Sequence, residues 1–272
     1  MVGRDVCAAL ESRGESVLPL TKSDLNITDA AAVREAVRRA KADIIVNCAA
    51  YTKVDDAEVN EHLATAINGS SVEFLAEAAN ETGALLVQIS TDFVFDGSKR
   101  TPYEINDVPA PLSAYGRSKR IGEQAATIAR KHVVLRTAWL FGVHGPNFVE
   151  AIRNQVRKGT NPLRVVNDQR GRPTYTPHLA DAIVRLAQRA HADETARGIV
   201  HYADGPECTW FDFARAIVGD AATVTPVSSD AFVRPAKRPA YSVLSTERYE
   251  RITGVKPEWW EEGLRDYLQQ RS

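Results

Sequence analysis

The sequence predicts a doubly wound, parallel α/β sheet with a smaller C-terminal lobe, and three observations lead there. Four short apolar runs rich in β-branched residues recur through the first half: VLPL (17–20), DIIVNCAA (43–50), LLVQIS (85–90) and HVVLRTAW (132–139). They are continuous rather than alternating, which is the pattern of strands buried on both faces. Longer amphipathic segments lie between them, and strand–helix alternation implies right-handed crossovers and a parallel sheet. Beyond residue 142 the chain changes to short elements separated by proline-containing loops, as expected of a lobe laid over the sheet's ligand edge.

Each element follows from a local pattern. TDAAAVREAVRRAKA (28–42) opens with a capping residue type and carries Val33 and Val37 on one helical face. VEFLAEAANETG (72–83) ends at a glycine, a common helix stop. SAYGRSKRIGEQAATIARK (113–131) reads as the next helix. In the second half NFVEAIRNQVRKG, HLADAIVRLAQRAHA, WFDFARAIVG and EWWEEGLRDYLQQ read as helices, and LRVVNDQ and GIVHYA as strands. The expected division is residues 1–142 for the doubly wound part and 143–272 for the smaller lobe over its ligand edge, some of whose segments return to the core.

The 272 residues are 44% hydrophobic and 25% charged, with a net charge of −1, so nothing global points to nucleic acid or a membrane surface. No apolar run approaches the roughly 18 residues that a transmembrane helix needs. MVGRDVCAALESRGES mixes charge into its apolar residues and is not a secretory signal. Cys7, Cys48 and Cys208 are odd in number and widely spaced, which argues for free thiols in a reducing, cytoplasmic setting. No paired Cys or His spacing suggests a metal site, and metal dependence stays open.

In a doubly wound sheet, ligands bind beyond the carboxyl ends of the strands. LLVQIS leads into TDFVFDG, which puts Ser90, Thr91 and Asp92 at such an end. Tyr115 and Lys119 stand four apart on a helix, so phenol and ammonium share a face. A neighbouring cation favours the phenolate of a group that ordinarily titrates near pH ~10. Such a tyrosine can exchange a proton with a carbonyl oxygen while a hydride moves at carbon. Tyr-x-x-x-Lys alone is unspecific, and Ser or Thr can simply end a strand.

QISTDFVFDG, SAYGRSKRIGE, VLRTAWLFG, NDQRGRPT and RPAKRPAYSVL, in this order, resemble the successive signatures of the dTDP-4-dehydrorhamnose reductase family, within the extended short-chain dehydrogenase/reductases. The similarity runs from about residue 3 almost to the C-terminus. It implies a Rossmann-like fold, a Thr91–Tyr115–Lys119 catalytic triad, and NADPH-dependent reduction of the C4 ketone of dTDP-4-dehydro-L-rhamnose to dTDP-L-rhamnose. By the same resemblance Lys119 also bonds the nicotinamide ribose, and Ala49, Ala50 and Tyr51 pass along the cofactor. The substrate side takes Ser90, Asp92, Phe93, Trp139, Gln169, Arg234 and Arg238. Trp139 offers an aromatic face or is a core indole. The two arginines hold the diphosphate, though without the family they read equally well as solvated charges.

The pattern departs from the family in places. The family opens with a strand and a glycine-rich phosphate turn, whereas here Gly3 matches only that turn's last glycine and the first strand is absent. The natural start is expected roughly a dozen residues upstream of Met1. After VLPL there is no acidic residue; Lys22 either meets a 2′-phosphate, favouring NADPH over NADH, or is a solvated lysine. Asn26 stands where an aspartate near the adenine is commoner, and Phe93 replaces a tyrosine. A nucleotide-sugar substrate is the expected partner, with a homodimer left open. Two other readings compete: a different nucleotide-sugar reductase or epimerase, and a non-catalytic nicotinamide-nucleotide-binding subunit resembling the one that regulates methionine adenosyltransferase.

Overall fold

The structure is a computed structural model that describes residues 1–271. The first half runs α1 (Val2–Glu11), α2 (Ala30–Ala40), β1 (Ile44–Asn47), α3 (Glu61–Thr65), α4 (Ser71–Thr82), β2 (Leu85–Thr91), α5 (Ala114–Ala126) and β3 (His132–Thr137). The second half continues with β4 (Leu140–Phe141), α6 (Phe148–Arg157), β5 (Leu163–Val166), β6 (Arg170–Gly171), β7 (Thr174–Tyr175), α7 (Thr176–Ala192) and β8 (Gly198–His201). Then come β9 (Cys208–Thr209), α8 (Trp210–Val218), β10 (Val224–Val227), α9 (Glu247–Thr253) and α10 (Trp260–Gln270).

The main sheet has the order β1-β2-β3-β8, and all three pairings are parallel. Its strands are apolar on both sides because both sides are covered. Leu85, Val87, Ile89, Val133 and Leu135 pack with α1, α7 and α9, while Leu86 and Val134 pack with α2 and α4. Burying each such side chain contributes roughly 1.5–3 kcal/mol. Segments from the second half, α7, β8 and α9, therefore complete the core of the first. A separate core around Phe141, Phe213, Trp260 and Tyr267 joins α6, α8 and α10 to the parallel pair β5–β10.

Local signals end the elements where expected. Asp29 caps α2 by accepting from Ala32 N at 3.0 Å, and α4 stops at Gly83, whose φ of 78° is left-handed. The strand expected at 17–20 does not form: the segment carries no regular structure, and Leu18 and Leu20 are 61% and 47% exposed. A strand needs a neighbour's hydrogen-bonding edge. Among the described residues 17–20 pairs with no strand, and β1, bonded to β2 on one side, is the edge of the sheet. Among the described residues no helix is long and apolar enough to cross a membrane. All three cysteines are free.

Candidate active site

Helix α5 is drawn tightly against the carboxyl end of the sheet. Ser113 caps it, accepting from Gly116 N at 3.1 Å, and the Glu58 carboxylate accepts from Ala114 N at 2.8 Å. Two glycines allow the approach: a methyl on Gly116 would strike the Phe93 carbonyl, and one on Gly122 would strike the Asn68 carbonyl. Further along, the buried Glu123 carboxylate takes a two-pronged bond from Arg136 of β3 and accepts from the Ser90 hydroxyl at 2.6 Å. One helix is thus fixed to both β2 and β3.

The result brings Thr91, Tyr115 and Lys119 to one edge. The Thr91 hydroxyl lies beside the Tyr115 phenol and donates its proton to Asp92 Oδ1 at 3.0 Å. Phe93 meets the Tyr115 ring edge-on at 5.7 Å. Lys119 is 3% exposed, and its Nζ donates to the Ile89 carbonyl at 2.6 Å. Burial pushes the Tyr115 phenol up to about 12; the Thr91 hydroxyl opposes the rise and the Asp92 charge adds to it. The expected acidification by Lys119 is absent; the ammonium is bonded instead to the main chain of β2. Burial likewise brings Lys119 down to about 8, against the pull of Glu123 and Cys48. Asp92, also sealed off, rises to about 6 through burial, opposed by bonds from Ser242 and Thr91. Among the described residues its Oδ2 has no hydrogen-bond partner within reach.

Ser90 lies one residue before Thr91 but is committed to Glu123, not to the open edge. Trp139 follows β3 with a φ of 47°, a strained conformation for a bulky side chain. Its indole stacks on Trp210 at 3.6 Å and is approached closely by Gly171, so packing uses the ring. Gln169 donates to Ser229 at 2.9 Å. Arg234 and Arg238 stand on a strap, residues 233–240, and both reach Asp55, at 3.5 and 2.9 Å.

Several residues at the site carry no legible sequence signal. Asn68, buried in a π-turn at Ala66–Ser70, accepts from Tyr51 N at 2.7 Å and donates to Tyr51 O and Ser118 Oγ. Single π-turns of this kind are frequent at functional sites. Asn68 locks the 48–51 segment to α5. Asp56 accepts from the Tyr51 phenol. Asp55, Glu123 and Arg136 are the others.

Comparison with known proteins resolves the lineage: the family described as "RmlD substrate binding domain" matches residues 1–272. The chain belongs to that family. A dTDP-4-dehydrorhamnose reductase of Streptomyces griseus is 42% identical, over 94% of this chain and 86% of that protein. A probable dTDP-4,6-dihydroxy-2-methyloxan-3-one 4-ketoreductase of Streptomyces antibioticus is also 42% identical, over 98% and 90%. Among solved structures, the dTDP-4-dehydrorhamnose reductase of Bacillus anthracis in complex with NADP superposes with a TM-score of 0.92 at 35% identity, covering 99% of this chain and 95% of that one.

In this RmlD-family chain the residues expected from the sequence to face a cofactor fall in two groups. Ala49 and Ala50 are exposed and small at the end of β1, and Tyr51 follows them. Gly3 lies in the first turn of α1 against Cys48. These residues and Lys119 border one edge of the sheet. An ammonium has three donors, and only the Ile89 carbonyl accepts from Lys119 among the described residues. Two donors of this ammonium thus remain unspent among the described residues. Lys22 and Asn26 are exposed, Asn26 accepting from Thr28 N and Oγ1 at 3.2 and 2.8 Å. Among the described residues no cluster of His, Cys, Asp and Glu could hold a metal ion.

Proposed function

We propose that this chain is an NADPH-dependent oxidoreductase that reduces the C4 ketone of dTDP-4-dehydro-L-rhamnose to the alcohol of dTDP-L-rhamnose. The supporting observation is the convergence of a protonated phenol, the hydroxyl beside it and a buried amine with spare donors at one open sheet edge. Relatives of about 40% identity are named for reductions of dTDP-linked keto sugars.

When bound, the reduced nicotinamide supplies the hydride. Tyr115 then supplies the proton. Its raised pKa keeps the phenol protonated throughout the working range, and the alkoxide that develops at C4 is a far stronger base, so transfer runs downhill. Thr91 holds the ketone oxygen beside the phenol. Lys119 would hold the nicotinamide ribose with its two free donors, and Ala49, Ala50 and Tyr51 would line the dinucleotide. Lys22 is assigned to a 2′-phosphate, Asn26 to the adenine and Gly3 to the pyrophosphate end. Asp92, Phe93, Trp139 and Gln169 are assigned to the sugar side, with Arg234 and Arg238 on the diphosphate. Residues 1–142 form the dinucleotide part and 143–272 the greater part of the substrate lobe.

The test is to supply purified protein with NADPH and, in parallel, dTDP-4-dehydro-L-rhamnose or dTDP-4-dehydro-6-deoxy-D-glucose, and to identify products by NMR. Preferential conversion of the former to dTDP-L-rhamnose supports the assignment. Preference for the glucose-derived ketone would change the substrate, and no turnover of either would remove the reductase reading.

A further inference from the structure

The strap that carries Arg234 and Arg238 is held by one side chain from the opposite bank. Among the described residues every hydrogen bond or ion pair of the Asp55 carboxylate runs to that strap. Oδ1 accepts from Arg238 Nη1 at 3.1 Å and from Ala236 N at 3.3 Å; Oδ2 accepts from Arg238 Nη2 at 2.9 Å and lies 3.5 Å from Arg234 Nη1. Arg238 holds the Asp55 carboxyl below the usual carboxylate range, so the charge persists. The strap is anchored again where Gly97 meets it: a Cβ on Gly97 would come within 2.6 Å of Ala240 N. Arg170 pins the end of the strap and the residues just beyond it: Arg170 N donates to Ala240 O at 2.9 Å, and Ser242 N donates to Arg170 O at 2.8 Å.

The donors that Arg238 keeps are as informative as those it uses. A guanidinium carries five N–H donors in a fixed plane. Among the described residues three are occupied: two by Asp55 across the end of the fork, and one by the Ala236 carbonyl at 2.9 Å. The two left over, Nε–H and the outer Nη2–H, share the side edge of the plane, which has the spacing that two phosphate oxygens require. An arginine gripped end-on can therefore still bind side-on, and the grip removes rotamer freedom that binding would otherwise cost.

We infer that Asp55 is a positioning residue that aims the free side edge of Arg238 at the diphosphate of the nucleotide sugar, with Arg234 the looser second arm. The inference rests on the assignment of both arginines to the diphosphate. Asp55 stays in place when the anion binds and touches neither sugar nor cofactor, so its loss should act on affinity and not on the chemical step.

The experiment compares Asp55→Asn, Asp55→Glu and Arg238→Ala in the full chain. Steady-state kinetics give KM and kcat for the nucleotide sugar, and calorimetry gives the affinities for dTDP and NADPH without turnover. Asp55→Asn should raise both KM and the dTDP dissociation constant about tenfold, equivalent to one lost charge-assisted orientation. The same variant should leave kcat and NADPH affinity within about twofold. Asp55→Glu, which keeps the charge, should recover part of the dTDP affinity. An unchanged or tighter dTDP affinity in Asp55→Asn, with Arg238→Ala weakened, would overturn the inference alone. Unchanged dTDP affinity in Arg238→Ala would remove the diphosphate assignment beneath it.

Discussion

Glu123 and Arg136 face each other fork to fork, at 2.8 and 2.9 Å, with both side chains 1% exposed. Ser90 and Arg120 satisfy further lone pairs of the carboxylate, and His201 lies 3.3 Å from Arg136 Nη1. This pair joins the helix that carries Tyr115 and Lys119 to the strand that ends at Thr137. Its value is that breaking it is costly, since the charge left behind has no water to turn to.

Glu123→Gln should therefore destabilise the protein by about 3–5 kcal/mol. Chemical denaturation of the wild type and variant, compared at equal slope, measures this. A loss under ~1 kcal/mol would mean that the interior supplies water or another anion to Arg136.

Cofactor retention should depend on pH through Lys119. Burial lowers its pKa to about 8, so the donating ammonium is present below that value and is lost as pH rises through it. Above it, NADPH affinity should weaken by up to tenfold per pH unit. Fluorescence titration between about pH 6.5 and 9.5 reads this, and Lys119→Met should flatten the profile. A wild-type affinity that holds constant through this window would contradict the assignment of Lys119 to the ribose.

Gly122→Ala should be damaging although alanine is the better helix former. The added methyl would meet the Asn68 carbonyl, a main-chain atom that cannot swing aside. Overpacking of this kind costs about 1–3 kcal/mol. Because Asn68 also bonds Tyr51, a shift there should weaken NADPH binding as well. Thermal melting and NADPH titration of the variant check both effects; a more stable variant would show that the π-turn yields.

The strands of the main sheet were legible because they are buried on both faces, and LLVQIS and HVVLRT need no alternation to stand out. VLPL passed the same test and failed, because a strand also needs tertiary pairing and cover, which no local pattern reports, and here both leucines stay exposed. Tyr115 and Lys119 were legible as a pair by helical spacing. The direction of their pKa shifts was not, since desolvation belongs to the packed molecule and here outweighs proximity. Glu123 with Arg136, and Asp55 with Arg238, escaped notice for a related reason: they meet across 13 and 183 residues of chain, with no short spacing to announce them.

The most direct test of the account is single-turnover reduction by Tyr115→Phe. Enzyme loaded with NADPH is mixed with dTDP-4-dehydro-L-rhamnose, and nicotinamide absorbance is followed by stopped flow. If Tyr115 delivers the proton, the chemical step should slow by about 10²–10⁴-fold while NADPH and dTDP affinities hold. A Tyr115→Phe enzyme that turns over at the wild-type rate would contradict it.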